Sequence, residues 1–342
     1  MKKFHCGAIA FGLLLLGFLV WETGLDALWR EVMLLGLGLV PFTLIEGIVF
    51  FFHTIGFRYC LSPRLRAIPF HKLFGIFLSG HAVNYFTPTA TIGGEVVKAV
   101  LLTSNGSAAA DRNGTDAATG VIIGKLSYAL TQFGYAFIGS IIILSKIHLP
   151  SVGFKLMFAS SAVVGAGIIG FLLVQKYGKL GAILRWLAGR NIGGRMLKKG
   201  AAYISGVDRS LADFYRDRPL DLFLSIFWHA VGMSFSIVKA WYFLYLLSDG
   251  DLAMAAGVWF LGTWLDLITF PIPLEIGVQE SIRVIVFTAL GFTMAMGLTY
   301  GLALRIEQIF WAIAGFAAYA ALARSGRARE QKVLIAETAE EP

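Results

Sequence analysis

Apolar stretches close to the ~20 residues that carry a helix across a bilayer recur from one end of this chain to the other. They run at 6–21, 32–56, 73–102, 117–145, 152–175, 220–247, 252–292 and 296–322. A water-facing globule usually carries about 25% charged residues, whereas this chain of 342 residues has 15%, with 57% hydrophobic. The sequence therefore predicts an all-α polytopic membrane protein. That class excludes a secreted disulfide scaffold, a soluble enzyme and a nucleic-acid-binding domain. Cys6 and Cys60 show no metal-ligand spacing and read as free thiols beside lipid, so neither a metal nor a cofactor is expected. Lys2 and Lys3 precede the first apolar run as they would in a signal peptide. WETG follows that run instead of a small-residue cleavage site, so it reads as a retained first helix.

Basic residues divide the connections into two groups. The stretches 1–5, 57–72, 103–116, 176–219 and 323–342 hold 21 Lys and Arg, against 3 in 22–31, 146–155 and 248–251. The positive-inside rule places the first group and both termini in the cytoplasm of a multi-pass inner (plasma) membrane protein. Residues 57–72 and 176–219 then share a side, and 117–145 with 152–175 already supply two crossings. Segment 73–102 must return to the side it came from. Its two arms are too short to cross, and Thr87-Pro88-Thr89 lies between them. A re-entrant hairpin from the cytoplasm fits, because non-helical backbone at that depth survives only where protein or a wet cavity surrounds it.

Segment 252–292 is broken in the same way, at Pro271-Ile272-Pro273. From Pro88 the sequence runs six residues to Glu95 and two more to Lys98; from Pro273 it runs six residues to Glu280 and two more to Arg283. Glycine stands shortly ahead of each glutamate, at Gly93-Gly94 and at Gly277, and the next membrane helix adds a further cation, Lys125 or Arg305. The second hairpin starts from the outer side, so the motifs form an inverted-topology repeat. Repeat one covers about 32–145 and repeat two about 220–322, within one transmembrane domain of residues 1–322. The arms of 252–292 are long enough for two full spans as well, and crossing parity does not choose. In all, the plan is about six crossing helices plus two opposed re-entrant hairpins.

Five bases (Lys98, Lys125, Lys239, Arg283, Arg305) and six acids (Glu46, Glu95, Asp266, Glu275, Glu280, Glu307) lie inside apolar segments. Facing lipid together they would cost on the order of 30 kcal/mol, so they pair or line a hydrated cavity. Glu-x-x-Lys and Glu-x-x-Arg place acid and base on one face of a helical turn. The glycines leave amides at a half-helix N-terminus, which suits an anion, and Asn84 is placed to satisfy backbone freed by the break. For the remaining charges the expectations are plainer. Lys239 sits near Trp241 and Tyr242 at an outer interface, Glu307 snorkels beside Arg305, and Glu46 makes a structural hydrogen bond or a substrate contact. His81 and His229 pack in the interior.

Catalytic motifs are absent: no H-E-x-x-H, C-x-x-C or G-x-S-x-G occurs. Gly120 to Gly124-Lys125 resembles a P-loop one residue short, and those glycines fit close helix packing better. Two glycosylation sequons, at Asn105 and Asn113, fall on the side expected to be cytoplasmic. The polar stretch 176–219 has ten Lys/Arg with Trp186, Tyr203 and Tyr215, which suits amphipathic helices on an anionic leaflet. Residues 323–342 read as a disordered cytoplasmic tail.

From Asn84 onward, NYFTPTATIGGEVVKAVLL resembles the flippase-like family of lysylphosphatidylglycerol synthase transmembrane domains. That family carries an Asn, a Pro, then G-G-E-x-x-R and a Leu pair, with a P-G-G-x-G-x-x-E element near the C-terminus that PIPLEIGVQE resembles. Here Lys98 replaces the usual arginine, Gly124 replaces an acid, and Leu274-Glu275 stand where two glycines are expected. The resemblance implies movement of a phospholipid or lipid-linked product between leaflets, as in relatives associated with hopanoid synthesis. Complete synthases join such a region to a soluble aminoacyl-transfer domain, which these residues do not contain, so transport is expected and enzymatic activity is not.

The resulting expectation is a translocation site formed by Asn84, Pro88, Gly93, Gly94, Glu95, Lys98, Lys125, Pro273, Gly277, Glu280, Arg283 and Arg305. The four cations would hold a phosphate, and the glutamates would balance charge or couple to protons. The partners are membrane lipids: an anionic or aminoacylated phospholipid, or a lipid-linked intermediate. The alternative is a non-transporting scaffold subunit that docks a lipid-modifying enzyme or glycosyltransferase through 176–219. A third possibility, an intramembrane enzyme on lipid phosphates, lacks a nucleophile beside a base.

Overall fold

The computed structural model describes residues 24–86, 92–106, 114–144, 212–269 and 276–339, with single positions at 18, 20, 21, 165, 166, 169, 170, 173, 177 and 210. Apart from those positions, the expected spans 6–21 and 152–175 and most of 176–219 lie outside the described residues. Pro88, Pro273 and Glu275 do so as well.

Every regular element among the described residues is helical. Helix α1 (Leu25–Leu35) runs through a short 3-10 turn, Gly36–Gly38, into α2 (Leu39–Cys60). In α2, Pro41 falls in the first turn, where a missing N–H breaks no helical bond. The helix stops at Cys60 because Leu61 and Ser62 are extended and Pro63 opens α3 (Pro63–Arg66). The last carbonyls of a helix have no partner within it. Here Arg66 reaches those of Arg58 and Leu61, both at 3.2 Å, and Arg218 reaches those of Tyr59 at 3.3 Å and Leu61 at 2.9 Å. Asp221 pairs with both arginines, at 2.8 and 2.7 Å.

The first expected hairpin is α4 (Phe70–Phe86) and α5 (Ile92–Asn105), packed on each other. Their 17 and 14 residues span about 25 and 21 Å at 1.5 Å per residue, short of a ~30 Å hydrocarbon core. Next comes α6 (Thr115–Leu144). Helix α7 (Pro219–Leu247) begins with proline at its first position, where proline is preorganised for a helix. It leads to α8 (Leu252–Thr269) and α9 (Val278–Ala289). Twelve residues give α9 about 18 Å, too little to cross alone, so 252–292 folds as a hairpin and not as two full spans. A tight turn at Gly291, whose φ of +87° favours glycine, joins α9 to α10 (Met294–Ala339).

Among the described residues, four stretches are long and apolar enough to cross a membrane: Leu28–Cys60, Thr115–Gly139, Pro219–Leu247 and Met294–Gly326. The protein is an all-α membrane protein whose described spans coincide with those expected from sequence. One expectation fails. Residues 323–339 were expected to be disordered but continue α10 as helix. The stretch is rich in Ala, Arg, Leu, Glu, Gln and Lys, all strong helix formers, and it extends a helix already nucleated by the span before it.

The packing repeats. Helices α2 and α7 lie against each other antiparallel, with Gly38 beside Leu246, Glu46 on Lys239 and Leu61 on Arg218. Exchanging α2 with α7, α4 with α8, α5 with α9 and α6 with α10 conserves most of the helix pairs in contact. Thus α4 packs on α10 as α8 does on α6, and α9 on α10 as α5 does on α6. An antiparallel pair at the centre of that exchange is the arrangement an inverted repeat requires. Two larger cores stand out among the described residues. One gathers Phe42, Phe243, Phe287 and Tyr300, whose rings contact edge-on or tilted at 4.9–6.1 Å. The other gathers Phe57, Leu61, Leu73, Leu102 and Val121.

Candidate functional site

In the first hairpin the arms meet backbone to backbone. A Cβ added to Gly94 would stand 2.0 Å from the Gly80 carbonyl oxygen, so only glycine permits that approach. Asn84 Oδ1 accepts the Gly94 N–H at 2.7 Å. The Lys98 ammonium lies 3.0 Å from Glu95 Oε2 and 4.8 Å above the Phe77 ring. Lys125, from α6, reaches Glu95 Oε1 at 3.8 Å. Lys98 is buried, while the Lys125 side chain is 43% exposed. One acid therefore faces two bases.

In the second hairpin Gly277, at φ +75°, starts α9 and donates its N–H to Glu280 Oε2 at 2.8 Å. The other oxygen of Glu280 accepts from Arg305 Nε and a terminal guanidinium nitrogen at 2.9 and 2.8 Å. Glu280 is 1% exposed. Arg283 pairs not with Glu280, as the Glu-x-x-Arg spacing suggested, but with Asp266 on α8 at 2.6 Å. It fits because Gly262 leaves room: a Cβ there would come within 2.3 Å of the guanidinium. Each base of this half has its own acid.

One expectation about the site is corrected: the Gly94 and Gly277 amides do not stand open for an anion, since Asn84 and Glu280 occupy them. A contact not signalled by the sequence ties the first hairpin to α10, Arg305 donating to the Tyr85 hydroxyl at 3.3 Å. Gly93 lies in the first turn of α5 beside Gly94. As expected of close packing, Gly120 and Gly124 let α6 settle onto Leu61 and Phe57 of α2.

A third charged cluster was missed as a unit. Lys239 donates to Glu46 Oε2 at 2.6 Å and to both oxygens of Glu307 at 2.7 and 2.8 Å. Lys239 does not reach an aqueous interface, nor does Glu307 snorkel beside Arg305; both are at most 5% exposed. The pairing spans 193 and 68 residues, beyond what local spacing can signal. The signal available was the demand that a glutamate in the middle of an apolar run find a base at matching depth on a neighbour.

His53 and His229 are hydrogen-bonded through their Nδ1 atoms at 3.0 Å. Each ring occupies a notch left by a glycine of the opposite helix, His53 against Gly232 and His229 against Gly56. His-x-x-Gly thus occurs once on α2 and once on α7, across the centre of the repeat. Nearby, Cys60 and Ser127 both contact the Ser225 hydroxyl, at 3.1 and 2.7 Å.

Residues 6–315 match the family described as the lysylphosphatidylglycerol synthase TM region. The chain belongs to that family. No curated protein and no solved structure matches it. Membership in the lysylphosphatidylglycerol synthase TM family agrees with the helical membrane architecture and points to an association with membrane lipids.

Proposed function

We propose that this protein moves a lipid with a phosphate-bearing polar headgroup between the leaflets of the inner membrane, its termini cytoplasmic and without covalent chemistry. The observation that carries this reading is the charge imbalance at the first hairpin. Glu95 faces both Lys98 and Lys125, which leaves one positive charge for a ligand to neutralise. The half-exposed Lys125 offers that charge to an anion arriving from the bilayer, and the headgroup would move along it while the acyl tails stay in lipid. Family membership supports a lipid as the substrate class. Anionic or aminoacylated phospholipids and lipid-linked intermediates all present the required phosphate.

Leaflet exchange in reconstituted vesicles tests the reading, using headgroup-labelled lipids and an impermeant quencher. Wild type should exchange label, and Lys98→Ala and Lys125→Ala should not. Because Lys125 is so exposed, its removal should alter stability by no more than about 1 kcal/mol, so lost exchange reports lost binding. A folded wild type that exchanges no anionic, zwitterionic or aminoacylated headgroup would overturn the proposal.

A further inference from the structure

Glu46, Lys239 and Glu307 bring two acids and one base together where α2, α7 and α10 meet, the mirror of the imbalance at Glu95. One ammonium thus bridges the two carboxyls, contacting Glu46 Oε2 and both oxygens of Glu307. With both ionised the cluster carries a net negative charge inside a membrane-spanning bundle, and carboxyls at one site share a proton more readily than they both ionise. Aromatic rings pack around it. The Phe42 ring lies 5.3 Å from the ammonium, and Trp311, one turn beyond Glu307, fills the notch at Gly47 and donates to the Thr43 carbonyl at 2.9 Å.

We propose that Glu46 and Glu307 hold one shared proton beside Lys239, and that this proton is the ion coupled to transport. The second half rests on the transport reading above; the first does not. A metal cation fits poorly, because an ammonium already occupies the space between the oxygens, and no metal-ligating group of three is found among the described residues. The titratable and charged groups facing the site are His53 from α2, His81 from α4, Lys239 from α7 and Tyr300 from α10, with Arg283 of α9 acting on Tyr300. His53 packs against Phe77, the ring beneath Lys98, and His81 packs against Phe50, which abuts Trp311, so these two histidines adjoin residues of both clusters. Loaded with an anion at one end and a proton at the other, both clusters are neutral.

Infrared difference spectra of the purified full-length protein in lipid nanodiscs test the site without any transport. The expected result is a carbonyl stretch of a protonated carboxylic acid at neutral pH, lost in Glu46→Gln and Glu307→Gln and retained in Glu95→Gln. Each single glutamine keeps one carboxylate for Lys239, so these variants should fold, whereas Glu46→Gln with Glu307→Gln should not. Absence of the band, or its survival in both single variants, overturns the proton site. In vesicles with an imposed pH gradient, wild-type exchange should respond to the gradient and Glu307→Gln should not. Exchange indifferent to the gradient in wild type overturns the coupling. The band together with no exchange at all would uphold the site and overturn the transport reading instead.

Discussion

The two hairpins share a motif but use it differently. In the second, Glu280 closes the start of α9 through Gly277 and takes Arg305, while Arg283 is satisfied by Asp266. In the first, Asn84 takes the Gly94 amide, one residue before Glu95, and Glu95 faces two lysines. Three differences accompany the divergence. Seventeen residues before the base stands Asp266 in one hairpin and His81 in the other, and the position of Asn84 corresponds to Thr269. Beneath the base, Gly262 admits a broad guanidinium where Phe77 offers Lys98 a ring face. In one half each base has its own acid; in the other one acid faces two bases.

The largest test of this contrast exchanges the two glutamates separately. Glu280→Gln removes an acid that is only 1% exposed from the part-buried Arg305, a loss of about 3–5 kcal/mol. Glu95→Gln removes a partly exposed acid from two cations and should cost less, roughly 1.5–3 kcal/mol, while changing headgroup binding more. Unfolding in mixed micelles measures the first quantity, and titration with short-chain anionic lipid the second. Equal destabilisation would dissolve the distinction between a structural and a binding half.

Glycines sharpen it next. Gly94→Ala drives a Cβ into the Gly80 carbonyl, a backbone atom that cannot swing away, and should cost about 1–3 kcal/mol as the arms part. Gly262→Ala meets only the mobile end of Arg283. The helix gains up to about 1 kcal/mol from alanine, so stability should hardly move while the Arg283–Asp266 pair shifts. Comparing the two melting curves checks the order. A Gly262→Ala loss as large as that of Gly94→Ala would mean the second hairpin is as tightly apposed as the first.

Apolar length made the described spans legible, and the proline breaks made the paired short helices legible, because both signals are local. The matched Glu-x-x-Lys and Glu-x-x-Arg were visible too, yet only Glu95 and Lys98 pair as the spacing implied. Arg283 turned to Asp266 because a guanidinium reaches across the hairpin wherever the facing helix offers a notch and an acid. The Glu46–Lys239–Glu307 cluster is assembled by the antiparallel register of α2 and α7 and the approach of α10. No spacing within one helix encodes that register. A count of buried acids and bases shows that partners must exist without saying which. The helical tail was misjudged for the opposite reason: composition favoured helix, and its polarity was read as disorder.

The smallest expected effect lies at the junction of the two halves. Tyr85→Phe removes the hydroxyl that accepts from Arg305, a single bond at 3.3 Å at a residue next to Asn84. Its cost should be near 1 kcal/mol, because Glu280 keeps the guanidinium in place. Its meaning comes from coupling. If repeat two steadies the first hairpin through this contact, Tyr85→Phe combined with Glu280→Gln should deviate from additivity by at least about 0.5 kcal/mol. Strict additivity in that cycle would make the halves energetically independent, and the charge imbalance at Glu95 would then be set by repeat one alone.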